Sequence, residues 1–95
     1  MPFVLQHKNT SQVYTCMLVN HYRLEYYGVK FWEDEDEAEQ DRVPFLQEKG
    51  VPDPESWRVA EMEEGQMKIS NVKLKNDPAY ILHWKENERP IATKI

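Results

Sequence analysis

Three histidines, one cysteine and a run of carboxylates are the groups in this chain that could carry chemistry. His7, His21 and His83 stand far apart, without the HxH, HExxH or CxxC spacings that bring metal ligands together. A structural or surface role is expected for each, and no metal site. Cys16 lies between Thr15 and Met17 in the most apolar stretch. A nucleophilic thiol needs a base and a positive field beside it, and the sequence points to neither, so a packed, inert thiol of raised pKa is expected. The carboxylates crowd in one place: six of the seven residues from Glu33 to Glu39 are acidic, the exception being Ala38. On a helix they splay around the axis, unlike the paired acids of a glycosidase, and the run lacks the glycine and spacing of a calcium loop. Glu33, Asp34, Glu35, Asp36, Glu37 and Glu39 are therefore expected to form either a solvated helix start or a face that docks on a basic partner. No GxxxxGKS/T or GxGxxG phosphate cradle occurs. Neither a catalytic residue nor a cofactor is expected.

These groups need a scaffold, and the stretch from Leu24 to Gly50 organises it. Tyr26, Tyr27, Val29, Phe31 and Trp32 suit a pleated strand, because flat and branched side chains fill its surface. The acidic run then favours a helix N-terminus, where free amide hydrogens and the helix dipole present positive charge. Ala38, Arg42, Phe45, Leu46 and Lys49 share one helical face, with Ala38, Phe45 and Leu46 placed to pack on a sheet. Gly50 suits the residue after the helix, and Pro52 prevents continuation. Pro44 opposes the helix, since an internal proline removes a hydrogen bond and clashes with the carbonyl four residues back, so a kink or break near Val43 is expected.

Elsewhere the pattern is mostly strand and turn. Phe3–Leu5 opens a strand, and Lys8–Ser11 is a polar turn. Val13–Val19 is apolar on both faces and is expected to be central and covered on both sides. Asn20–Arg23 makes the next turn. Asp53-Pro54 has the form of an N-cap and first helical residue, so a single helical turn is expected there. Trp57–Met62 alternates as a strand does, and Glu63–Gln66 reads as a hairpin turn. Met67 and Ile69 share one parity and Val72 and Leu74 the other, which implies a bulge or a break near Ser70-Asn71. Asn76-Asp77-Pro78 is a turn, Ala79–Trp84 a strand, Glu86–Pro90 turn-like, and Ile91–Ile95 an edge strand or tail.

The expected fold is a single α+β domain over residues 1–95: a mostly antiparallel sheet of five to six strands, in the order β-β-β-α-β-β-β, with one main helix packed on one face. Two small sheets packed together are the alternative. The 95 residues carry a net charge of −5, with one cysteine and thus no internal disulfide. The N-terminus reads as no signal peptide and no apolar run reaches membrane-spanning length, so a cytoplasmic protein without membrane association is expected. The charge is uneven, +2 over residues 1–32, −10 over 33–64 and +3 over 65–95. Nucleic-acid binding is disfavoured by the acidic middle, with Lys68, Lys73, Lys75 and Lys85 beside Tyr80 and Trp84 as the one basic-aromatic exception.

The strands hold more apolar surface than one helix can hide. A homodimer that covers the second sheet face is therefore expected, and a non-enzymatic role in protein–protein association. The competing expectations are an acidic inhibitor or nucleic-acid mimic acting through residues 33–39, and a small-molecule site or enzyme that would require two of His21, His83 and Cys16 to converge in a concave pocket.

Overall fold

The computed structural model describes residues 1–86 and 88–95, and shows an α+β fold with a curled antiparallel sheet and two helices. β1 (Phe3–His7) is its axis. Along one edge β1 pairs over its full length with β6 (Trp57–Glu61). Its other edge is shared by β5 (Phe31–Trp32) at Phe3 and Val4 and by β2 (Gln12–Val13) at Gln6. β2 continues the sheet to β7 (Tyr80–His83), which pairs with β8 (Ile91–Lys94).

A long hairpin rises from that shared edge. β3 (Thr15–Val19) follows β2 after Tyr14, and β4 (Glu25–Val29) precedes β5 across Lys30. β3 and β4 are antiparallel to each other, yet β2 and β5 are both antiparallel to β1. Both legs must therefore bend where they meet the sheet. Tyr14 holds the fork, its N–H donating to the Leu5 carbonyl at 2.9 Å and its carbonyl accepting from Lys30 N–H at 3.3 Å. This corrects the expectation for Val13–Val19. Only its first residue is central, and the rest forms one side of a projecting ribbon.

α1 (Glu35–Glu48) forms as the acidic run predicts, with Asp34 as N-cap accepting from Glu37 N–H at 3.3 Å. Ala38 and Leu46 are fully buried with Leu5, Trp32 and Trp57, and Phe45 packs at the rim. Of the kink or break expected near Val43, the break does not occur, and α1 runs unbroken through Pro44. Pro44 and Gln40 are both exposed, on the side of the helix open to solvent, while Ala38 and Leu46 anchor the helix on either side. Gly50 takes φ +76° just beyond the C-cap, as expected of that position. Arg42 does more than flank the face. Its Nη1 donates to the carbonyls of Pro54 and Trp57, at 3.2 and 2.9 Å, tying the single helical turn Pro54–Ser56 to α1.

The main departure is residues 64–74. Instead of a hairpin turn and a bulged strand they form α2 (Glu64–Leu74). Met67, Ser70 and Leu74 are buried at i, i+3 and i+7, whereas Ile69 and Val72 are exposed. The change of parity near Ser70 is thus the helical period, and the Ser70 hydroxyl donates to the Gln66 carbonyl one turn back at 2.8 Å. The order is β-β-β-α-β-α-β-β once each hairpin leg is counted as one strand.

α2 removes the premise for a second copy on the sheet face. Val4 and Leu5 are neighbours on β1 and point to opposite sides. Leu5 packs in the cluster with α1, and Val4 in a second cluster with Met67 and Leu74 of α2, joined by Val13, Val29, Met62, Leu82 and Trp84. Both sides of the central strand are covered from within the chain. Gln6, 3% exposed, is held by the Trp84 carbonyl and by Arg58, whose Nε and Nη2 reach its Oε1 at 3.1 and 2.9 Å. The turn expected over Glu86–Pro90 includes Asn87, which lies outside the described residues. Among the described residues no helix is long and apolar enough to cross a membrane.

His7 is more enclosed than a hairpin-end histidine would be, set edge-on against Trp57 with ring centroids 5.2 Å apart. Its Nδ1 accepts from the N–H groups of Asn9 and Thr10, so Nε2 carries the proton and donates to Asp53 Oδ2 at 2.9 Å. This hydrogen bond holds the Asp53 carboxyl below its ordinary pKa. A group depressed by folding stabilises above its unfolded pKa and loses that contribution as pH falls through the folded one. The Asp53 carboxyl signal followed by NMR is expected to titrate below 3.8 in the native chain and to return towards that value in His7→Ala. Equal midpoints in the two proteins would disprove the coupling.

Candidate functional site

The groups picked out for chemistry do not come together. His21 lies against Tyr22 at the hairpin tip, centroids 4.1 Å apart and rings tilted by 40°. His83 sits on β7 opposite Ile91 and Gln12, and Cys16 lies midway along β3. No hydrogen bond joins any two of the three among the described residues. Burial raises the Cys16 pKa, outweighing the opposite pull of Lys49 and Lys30, so the thiol is protonated near neutrality. Both nitrogens of His7 are engaged. Among the described residues no group of three His, Cys, Asp or Glu side chains could hold a metal ion. A cleft of about 330 Å³ is lined by Glu61, Glu63, Glu86, Gln66 and Trp84, but its carboxylates do not converge on a point.

The acidic run lies where the sequence puts it. Glu33, Asp34, Glu35, Asp36, Glu37 and Glu39 are all exposed around the start of α1. Among the described residues only Glu39 of these pairs with a cation, Arg42 Nε at 3.9 Å. The basic-aromatic alternative is weakened, since Trp84 is buried and Lys73 is spent on the Pro90 carbonyl at 2.7 Å.

The feature that sequence reasoning missed is a strand edge. β3 and β4 pair as Cys16↔Gly28 and Leu18↔Tyr26, with Thr15↔Val29, Met17↔Tyr27 and Val19↔Glu25 between them. Asn20 N–H bonds the Leu24 carbonyl at 3.0 Å and Lys30 N–H bonds the Tyr14 carbonyl. That phase makes the even residues of β3 the hydrogen-bonded ones, and turns the amides and carbonyls of Thr15, Met17 and Val19 outward. The opposite edge is closed. Tyr27 N–H donates to Asn76 Oδ1 at 2.6 Å and Val29 N–H to Asn71 Oδ1 at 3.0 Å, so α2 and the residue pair after it supply side-chain acceptors where another strand would dock. Lys75 and Asn76 both adopt the left-handed conformation, φ 55° and 53°, which swings the Asn76 amide back to β4.

Among the described residues no such closure exists on β3. The outward groups of Thr15, Met17 and Val19 have no hydrogen-bond partner among the described residues. Proteins usually protect a free edge with charge, proline or a bulge. β6 carries Arg58 and Glu61 and β8 carries Lys94, but β3 reads Thr-Cys-Met-Leu-Val without a charge. Around it Met17 is 47% exposed, Val19 64%, Leu24 63% and Tyr22 73%. Such an edge can take up an extended segment by main-chain hydrogen bonding, with apolar side chains adding contact area.

No protein family, curated protein or solved structure matches the chain.

Proposed function

We propose that this is a non-enzymatic protein-association domain whose working surface is the outer edge of β3, to which an extended segment adds as a further strand. The observation that carries the reading is the contrast between the two edges of one ribbon, one stoppered by Asn71 and Asn76, the other open, uncharged and beside exposed Met17, Val19, Tyr22 and Leu24. Protein–protein association was already expected from the sequence, but on a sheet face that α2 covers. The hairpin takes its place.

Proline supplies a selective test. Met17 N–H points outward, so Met17→Pro removes an edge donor and leaves the Cys16 and Leu18 bonds to β4 in place. Displayed extended peptides selected on the native protein are expected to lose at least about tenfold in affinity for Met17→Pro, as for the loss of one or two net hydrogen bonds. A selection whose binders all hold Met17→Pro equally well would overturn the assignment.

A second reading rests on the six exposed carboxylates of residues 33–39, which suit an acidic face that docks on a basic surface as an inhibitor or nucleic-acid mimic does. Salt separates the two. Binding through the acidic face should weaken steeply between low and high ionic strength, whereas strand addition at an uncharged edge should change little.

A further inference from the structure

We infer that the segment taken up by β3 is β3 of a second copy, paired antiparallel about a two-fold axis at Met17. This inference rests on the open-edge reading and names its partner. The edge is short and bounded. At one end the next residue of the outward phase, Val13, is paired with Leu82 of β7, and at the other Asn20 opens the turn, where its Oδ1 accepts from Tyr22 and Leu24 N–H at 2.9 and 3.0 Å. Only a register centred on Met17 uses all the free groups. Met17 then exchanges both bonds with Met17 of the partner subunit, and Thr15 does so with the partner's Val19. A shift by two residues in either direction drives part of the strand against the bonded ends.

Charge favours the same occupant. Two chains of net charge −5 repel, and a contact between copies must keep like charges apart. Residues 15–19 hold no charge, and the acidic run stands on α1. The symmetric register sets Met17 on Met17 and Thr15 on Val19, with Cys16 facing Leu18 on the reverse side, so that no charge is placed within the paired strands themselves. An isologous contact requires this self-complementarity. Five residues a side make a narrow contact against the roughly 1,000 Å² that a specific interface needs, so the dimer is a weak one.

Sedimentation from micromolar to millimolar concentration should show a monomer–dimer equilibrium for the native chain. Met17→Pro removes two symmetry-related hydrogen bonds and should raise the dissociation constant about ten- to a hundredfold, with the circular dichroism unchanged. Register is read by crosslinking in a Cys16→Ser background. A hydrogen-bonded antiparallel pair has its Cα atoms about 5.5 Å apart, within disulfide reach, so Met17→Cys should form a disulfide dimer under mild oxidation. Val19→Cys should not, because its symmetry mate lies four residues along, about 14 Å away. A native chain monomeric throughout, or Val19→Cys crosslinking as readily as Met17→Cys, overturns the second copy. If a monomeric chain still takes up peptides sensitive to Met17→Pro, the open edge stands and only its partner is wrong. If Met17→Pro dimerises like the native chain and binds the same peptides, both readings fall.

Discussion

Leu74→Ala is expected to lower the unfolding free energy by about 2–5 kcal/mol, as much as Leu46→Ala on the other helix. Both leucines are fully buried, Leu46 among Leu5, Trp32 and Trp57, Leu74 among Val4, Val29 and Leu82. Alanine at either place leaves a cavity whose walls, one strand of a sheet and one helix, cannot close without shifting an element. The comparison matters because α2 has the weaker local claim to be a helix. Its N-cap position, Glu63, makes no side-chain capping bond, and Gly65 lies in its first turn. Its stability comes from what Met67, Ser70 and Leu74 bury. Urea denaturation of the two variants reads the result. A cost for Leu74→Ala below about 1 kcal/mol would mean that α2 does not cover the second face, and would restore the need for something else there.

Gly28→Ala is the second large effect expected, about 1–3 kcal/mol from overpacking with the loss of a buried-edge hydrogen bond besides. A Cβ at Gly28 would lie 2.9 Å from Asn71 Oδ1 and 2.9 Å from the Tyr26 ring. The ring can turn. Asn71 Oδ1 has less freedom, since it is the acceptor for Val29 N–H. The added methyl therefore prises open the stopper of the β4 edge and frees the Val29 amide. Asn71→Ala alone should also destabilise, but the double variant should cost less than the sum, because the clash disappears with the amide. Strict additivity in thermal or urea unfolding would show that Gly28 and Asn71 do not act on each other. In both variants the opened β4 edge should raise exchange at the Val29 amide.

Much of the frame was legible along the chain, because its signals are local. The acidic run, Asp34 before it and Gly50 after it specify α1 through groups within a few residues of one another. Asn20, Asp53-Pro54 and Asp77-Pro78 place their turns by the same short-range chemistry, and Trp57–Glu61 and Tyr80–His83 form strands where branched and aromatic residues predict them. Residues 64–74 were not legible. Four apolar side chains in eleven positions fit a strand with one slip, or a helix that buries Met67 and Leu74 and leaves Ile69 and Val72 outside, and the choice falls to whichever arrangement meets an apolar surface. That surface is built by Val4, Val13, Val29 and Leu82, distant in sequence.

The candidate site divides in the same way. Its residues, a short run without charge, are written in the sequence, which also determines that neither a metal-ligand spacing nor a phosphate loop accompanies them. That one edge of the ribbon is open and the other closed is decided by Asn71 and Asn76, which reach β4 from 42 and 49 residues away. The bends at Tyr14 and Lys30 that lift the hairpin off the sheet are likewise set by competition for the single edge of β1. Hydrogen bonds between distant segments carry no periodicity along the chain, so only the folded molecule decides which amides are left free.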